Sequence, residues 1–276
     1  MAQKSEPTNQ KSILMQMEPI GLDDMKAVRL MNRVDQKYIA PDTALEPLLE
    51  RIADRYLVQH IGGNPVAPYR TLYFDTPDLA MYTMHHNQKL NRQKLRVRTY
   101  RSTDTTFFEI KNKDNKGKTR KVRIPLDVSL FDTALEVPEV RDFIERNTPY
   151  LTPHSEHLTP NSLHECLENR FNRITLVDKG MSERVTIDLG IRFHNRATDR
   201  DNDIARALVI EVKHEVGAPA SAIERALHDL HILPRRMSKY CIGTALTDPS
   251  AKHNRFKPKL LYLEKIHKSE FINQKS

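Results

Sequence analysis

The chain has 276 residues and carries 44 Lys and Arg against 36 Asp and Glu, a formal net charge of +8, enough length for one large domain or two small ones. Two cysteines without a CxxC pair, a polar N-terminus and the lack of any run of about 18 apolar residues argue against a disulfide scaffold, a secretory leader and a membrane span, and point to the cytoplasm. The basic balance points to an anionic partner, and nucleic acid, a membrane surface and polyphosphate all satisfy it.

Residues 1–17 are polar and read as a disordered N-terminal segment. Over 20–32, Leu22, Met25, Val28, Leu30 and Met31 recur at roughly helical spacing behind Asp23 and Asp24, which predicts a short helix. Residues 33–39 alternate like a strand, with Arg33, Asp35 and Lys37 on one face and Val34, Gln36 and Tyr38 on the other. Pro41 and Asp42 then open an amphipathic helix over 42–59, with Leu45, Leu48, Leu49 and Ile52 as its apolar stripe. Residues 69–75 are β by composition, 79–86 suit a short helix and 87–92 a loop. Strands follow over 95–100, 108–113 and 119–124, joined by turns at 102–104 and 114–117. The rest reads as a helix over 138–147, a Pro- and His-containing connection over 148–161 and a short helix near 162–168. Strands over 170–177, 183–189 and 208–214 come next, then a helix over 219–230, a short segment over 237–242 ending at Gly243, and a basic tail from 252 holding one helix.

Most of these strands have one apolar and one charged face. Leu95, Val97 and Thr99 alternate with Arg96, Arg98 and Tyr100, and Phe108 and Ile110 with Glu109, Lys111 and Lys113. Arg184, Thr186 and Asp188 oppose Val185, Ile187 and Leu189, while Glu211 and Lys213 oppose Ile210 and Val212. The charged face has two readings on the residues alone: a solvated outer surface, or an inward face gathered around a polyanion, since neighbouring like charges repel. No βα alternation runs through the chain, which excludes a doubly wound parallel sheet. The fold class expected is α+β: a closed antiparallel β-barrel of about eight strands covered by helices, with a polar, basic interior if it binds a charged ligand. With few glycines and no Gly-rich loop, phosphate binding would rest on side chains.

Seven stretches in order, RVDQKY (33–38), YRTLYFDT (69–76), NRQKLRVRTY (91–100), FEIKNK (108–113), ERVTIDL (183–189), VIEVK (209–213) and MSKY (237–240), resemble the VTC domain. This is the polyphosphate polymerase branch of the triphosphate tunnel metalloenzymes, within the CYTH-like superfamily, and the resemblance covers about residues 18–245. It implies a tunnel domain over 18–248 with a basic C-terminal tail over 249–276. It implies that Lys37, Arg96, Arg98, Lys111 and Arg184 line the tunnel as catalytic residues, and that Arg236, Ser238 and Lys239 contact phosphate near its mouth. Lys121 and Arg123 share the tunnel-facing parity. Glu211 is the implied ligand of a Mn²⁺ or Mg²⁺ ion, a hard cation suited to carboxylate and phosphate oxygens.

The implied partners are ATP and polyphosphate, and the implied activity is transfer of the γ-phosphate of ATP to a growing polyphosphate chain. Many hydrolases of the superfamily carry ExExK on the first strand; here the stretch is Arg33-Val34-Asp35-Gln36-Lys37, which departs from that pattern. The alternatives are a metal-dependent triphosphatase and a non-catalytic polyphosphate- or nucleotide-binding module. Nucleic acid is not expected, because no basic groove is interleaved with aromatic residues. Eukaryotic relatives work beside membrane-embedded subunits, so a membrane partner stays open, as does the oligomeric state. Glu109 and Asp188 have a second reading as neutralisers of adjacent cations. His85 and His86 diverge as sequence neighbours, His154, His157 and His164 belong in or beside a connector, and Tyr38 and Tyr240 read as packing residues.

Overall fold

The computed structural model describes residues 8–27, 33–148 and 160–273. It is a mixed α+β fold built on one 11-stranded sheet. In chain order the elements are α1 (Thr8–Gln16), β1 (Pro19–Ile20), β2 (Arg33–Pro41), α2 (Leu45–Ile52), β3 (Tyr56–Gln59), β4 (Val66–Asp75), α3 (Ala80–His86), β5 (Arg92–Tyr100) and β6 (Thr105–Lys113). They continue with β7 (Thr119–Leu126), α4 (Pro138–Asn147), β8 (His164–Asp178), β9 (Glu183–Asn195), β10 (Arg200–Asp203), β11 (Ala207–Glu215), α5 (Ala222–Asp229), α6 (Lys239–Thr247) and α7 (Lys257–Asn273).

Eight strands form a continuous antiparallel path, β2-β11-β9-β8-β4-β5-β6-β7, with β1, β3 and β10 attached to its side. The sheet is open, and this corrects the expected closed barrel: among the described residues no ladder joins β2 to β7. Both edges have a physical reason to stop. Beside β2 lies Pro234, which has no N–H to extend a ladder, and only the Arg235 N–H reaches over, donating to the Lys37 carbonyl at 2.7 Å. The β7 edge carries exposed Arg120, Lys121 and Arg123, charges that discourage a further strand.

The strand alternation builds two unlike faces. On the apolar face, Tyr38, Ile174, Leu176, Val185, Ile187, Leu208, Ile210 and Val212 pack with Leu45, Leu48 and Leu49 of α2 and Ile223 and Leu227 of α5. Further along the same face, Leu72, Phe74, Leu95, Val97, Phe108 and Ile110 pack with Met81 of α3 and Val140 and Ile144 of α4. A third cluster belongs to the other face: Ile39, Val209, Tyr69, Tyr73 and Phe171 meet Tyr240, Cys241 and Ile242 of α6 and Leu263 and Ile266 of α7. These two helices therefore cover one end of the polar face.

Several local expectations change. Residues 8–16 are helical rather than disordered, because Leu14 and Met17 bury against the α2 cluster. Over 20–32 only a 3₁₀ turn at Asp24–Ala27 forms; 28–32 lie outside the described residues. The helix expected to run to 59 stops at Ile52, and Tyr56–Gln59 pairs with β8. The helix near 162–168 is instead the start of β8, paired with β4, where a register shift at Cys166 leaves both Cys166 and Leu167 buried. Residues 239–247 form a helix that passes through Gly243. The basic tail is part of the fold: Tyr262 of α7 donates a hydrogen bond to the Ile39 carbonyl at 3.3 Å. His154 and His157 lie outside the described residues. No helix among the described residues is long and apolar enough to cross a membrane.

Gly243 is where α6 presses closest to the sheet. A Cβ there would lie 2.5 Å from both Leu167 Cδ2 and Phe193 Cδ1. Alanine is the better helix former by up to about 1 kcal/mol, but overpacking of this kind costs about 1–3 kcal/mol. Gly243→Ala should thus lower the urea midpoint by a net loss on the order of 1 kcal/mol; a midpoint equal to or above wild type would show that α6 is not held this tightly.

Candidate functional site

Residues paired across neighbouring strands point to the same face. The register places Lys37 beside Glu211 and Glu211 beside Thr186, and Asp35 beside Lys213 and Lys213 beside Arg184. Asp188 is beside Arg173. Across the middle, Thr71 meets Arg98 and Tyr73 meets Arg96. On the far flank, Arg96 meets Glu109, Lys94 meets Lys111, Glu109 meets Arg123 and Lys111 meets Lys121. Lys37, Arg96, Arg98, Lys111, Arg184, Lys121, Arg123 and Glu211 therefore share one face.

Three carboxylates on this face, Glu109, Asp188 and Glu211, are each shared by two cations. Glu109 accepts from Arg96 at 2.5 and 2.8 Å and pairs with Lys121. Asp188 accepts from Arg173 at 2.5 and 2.8 Å and pairs with Lys239. Glu211 bridges Lys37 and Lys213. Lys111 and Arg98 have no carboxylate within ion-pair distance among the described residues; Arg98 donates to Thr71 Oγ1 at 3.0 Å. In the centre, the Arg98, Arg173 and Lys239 cations stand over the stacked Tyr69–Phe171 pair, with Lys239 Nζ 4.6 Å from the Phe171 ring.

The electrostatics record a surplus of positive charge. Arg96 and then burial hold the Lys111 amine well below its usual value. Burial, with the Lys213 ammonium, brings Lys37 down to about 7. Burial brings Lys121 to about 8 even though Glu109 pulls the other way. Glu109 is driven down to about 2 because the Arg96, Arg98 and Lys121 cations outweigh its burial. Burial raises the Tyr73 phenol, but Arg96, Arg98, Lys94 and Lys239 more than offset it and leave the phenol below its usual value. Such a face favours an anion among its cations.

A family model for the VTC domain matches residues 32–247. The chain belongs to the VTC domain family. Among solved structures, a candidate adenylyl cyclase from Hippeastrum, described as revealing a dominant triphosphatase activity, is similar at a TM-score of 0.51 and 13% identity, covering 79% of this chain and 97% of that one. Candidate adenylate cyclases from Bacillus halodurans (TM-score 0.45, 15% identity, 75% and 94% covered) and Vibrio parahaemolyticus (0.44, 10%, 78% and 99%) are also similar. At these identities the likeness concerns the fold alone. Comparison with curated proteins gives no match.

The family implies a divalent cation, and the donors on this VTC domain suit one that arrives with phosphate. No group of three or more His, Cys, Asp or Glu residues able to hold a metal forms among the described residues. Glu211, however, lies beside Thr186, whose buried hydroxyl has no hydrogen-bond partner among the described residues, and Asp35 is on the same face. Few carboxylates completed by substrate oxygens is a usual arrangement for Mg²⁺ or Mn²⁺.

The other predicted residues fall at the end covered by α6. Ser238 caps α6, its Oγ accepting from Cys241 N at 3.3 Å and from Lys94 Nζ at 2.8 Å. Lys239 reaches Asp188, while Arg236 is exposed. Arg33 is outside the residues with described side chains. Tyr240 donates to Asp75, so its hydroxyl serves the core. Glu109 and Asp188 are both charge partners of two cations. Arg173, Lys94 and Tyr73 were missed by sequence reasoning. Lys94 shares the parity of Arg96 and Arg98 and could have been read; Arg173 lies beyond the β-bulge at 170–172, which breaks the alternation.

An anion on this face should keep its lysines protonated. In ¹³C-lysine NMR the free protein should show lysines titrating near 7 and 8 rather than 10.5. Adding trimetaphosphate, which is fully ionised there, should move both upward, so that its affinity falls as pH rises through this range. All lysines titrating near the ordinary value, with or without anion, would contradict the charge surplus.

Proposed function

We propose that this VTC domain is a metal-dependent polyphosphate polymerase that moves the γ-phosphate of ATP onto a growing polyphosphate chain. The observation that carries the reading is the row of buried Arg96 and Arg98 with half-buried Lys111 and with Glu109 as its carboxylate. Phosphoryl transfer spreads charge over non-bridging oxygens, so its catalysis is chiefly positioning by cations. A terminal oxygen of the chain attacks the γ-phosphorus; the bond from that phosphorus to the β,γ-bridging oxygen breaks, and its electron pair leaves with ADP. The attacking oxygen is already ionised, so no general base is required. Arg96 and Arg98 fork onto the transferring group, and Lys111 and Lys121 add point charges. Lys37, Arg184, Lys239 and Ser238 hold the adjoining phosphates, Arg123 flanks them, and Arg236 contacts phosphate further out, near the mouth. Glu211 would hold a Mn²⁺ or Mg²⁺ ion, which would supply charge neutralisation. Arg33 and Asp35 stand where the superfamily's hydrolases place two glutamates, which favours transfer to phosphate over transfer to water. A triphosphatase is the second reading, favoured by the activity described for the Hippeastrum structure.

Incubated with ATP and Mn²⁺, the protein should yield ADP and chains longer than triphosphate, resolved by gel and phosphorus NMR. Stoichiometric orthophosphate without chains would overturn the polymerase in favour of the hydrolase. Glu211→Gln should abolish metal-dependent turnover while leaving the thermal transition in place.

Arg98→Met keeps the packing over Tyr69 and Phe171 but removes the fork. Loss of one such contact should lower the rate about 100-fold or more, with Tm unchanged or raised because repulsion from Arg96 is relieved. A surface double variant, Arg51→Gln with Lys179→Gln, should retain full rate. Equal losses in both would show that the charge acts only as a diffuse field.

A further inference from the structure

The cations on β5 do not end at the row just described. Arg92, Lys94, Arg96 and Arg98 share one parity, and the register sets Arg92 directly beside Lys113 of β6. From Arg98 to Arg92 the strand advances about 20 Å at 3.3 Å per residue. At the Arg92 end the chain adds further cations from α7, beyond the last residue matched by the family model.

The docking of α7 there is specific. Phe256, just before α7, meets the His86 ring at 5.2 Å and the His85 ring at 6.4 Å, both edge-on, and the Arg255 N–H donates to His86 Nε2 at 3.3 Å. Lys259 Nζ lies 5.7 Å from the centre of the Phe256 ring. Lys259 is thereby tied to α3, which packs on β5. Arg236 belongs to the same group: it lies two residues before Ser238, whose Oγ accepts from Lys94 Nζ at 2.8 Å, and its charge adds to burial in pulling Arg92, Lys113 and Lys259 downward. His85 lies among them. Burial, then Lys94, Arg92, Lys259 and Lys113, hold its imidazole down to about 2, and its buried Nδ1 has no hydrogen-bond partner among the described residues. His85 is thus a neutral ring able to serve phosphate oxygens as a donor when its tautomer places hydrogen on Nδ1. This sets aside any idea of Lys259 as a remote tail residue.

We propose that Arg92, Lys113, Arg236 and Lys259 form an outer polyphosphate subsite, continuous with the inner row along β5, which holds the part of a long chain beyond the reacting phosphates. The proposal rests on the polymerase reading for its ligand class. The α7 helix makes it a property of this chain's C-terminal segment. Cations arrayed along a track bind a polyanion by neutralising successive phosphates, so the gain grows with chain length and weakens with salt, as it does for nucleic acids.

The test compares inorganic tripolyphosphate with polyphosphate of about 25 units, binding each by calorimetry to wild type and to the double variant Lys113→Gln with Lys259→Gln. The double variant should bind tripolyphosphate as wild type does, bind the long chain about 10-fold more weakly, and show a shallower salt dependence for the long chain only. The surface double variant Arg51→Gln with Lys179→Gln removes the same charge and should match wild type for both ligands. Equal losses for both ligands, or no loss for the long one, would overturn the subsite while leaving the polymerase reading intact. Failure of wild type to bind either anion would instead overturn the polymerase reading itself.

Discussion

The structure depends on holding many like charges on one face of a sheet. Each of three carboxylates there, Glu109, Asp188 and Glu211, is shared by two cations, and Arg98 and Lys111 are not balanced by a carboxylate within ion-pair distance among the described residues. Desolvating a charge is costly, and placing a second like charge beside it adds to the cost. The lowered Lys111, Lys37 and Lys121 amines are the direct record of that cost. Binding a polyanion would relieve it, so the free energy stored in the unliganded face becomes selectivity for phosphate chains.

A second charge cluster shows by contrast what a structural network looks like. Arg70, Arg170 and Arg196 gather on Glu168, with Asp132 and Glu165 close by. Arg70 also stacks 4.0 Å over Phe131. Cations and carboxylates are matched there, and the three arginines hold Glu168 at about 2 despite burial. A balanced cluster of this kind staples β4 and β8 and leaves no charge for a ligand. The distinction between the two clusters is stoichiometric: the surplus of positive charge lies on the face of Arg98 and Lys111.

The apolar side of the sheet makes the charged side affordable. Clusters around α2 and α5, and around α3 and α4, bury the residues that alternate with the cations. This burial fixes the register, because a slip by one residue would send the cations into those clusters. On the opposite face, the close approach of α6 at Gly243 to Leu167 and Phe193 sets Ser238 and Lys239 against the polar side chains.

The sequence by itself determined which residues share a face. Alternation at Arg96–Arg98, Glu109–Lys111, Arg184–Asp188 and Glu211–Lys213 is a property of a strand's period of two, independent of what the strand packs against. It also determined the antiparallel α+β class and the motif order of the family. Only the tertiary structure decided whether the sheet closes, because closure depends on whether two distant edges meet, and here Pro234 and the charged β7 strand occupy those edges. The strand identity of 164–168 and 56–59 was likewise settled by pairing with β4 and β8, which overrides short-range propensity. Arg173 joined the cation face through a bulge, and a docked helix set Lys259 over the Phe256 ring, long-range geometry that no local pattern in the sequence records.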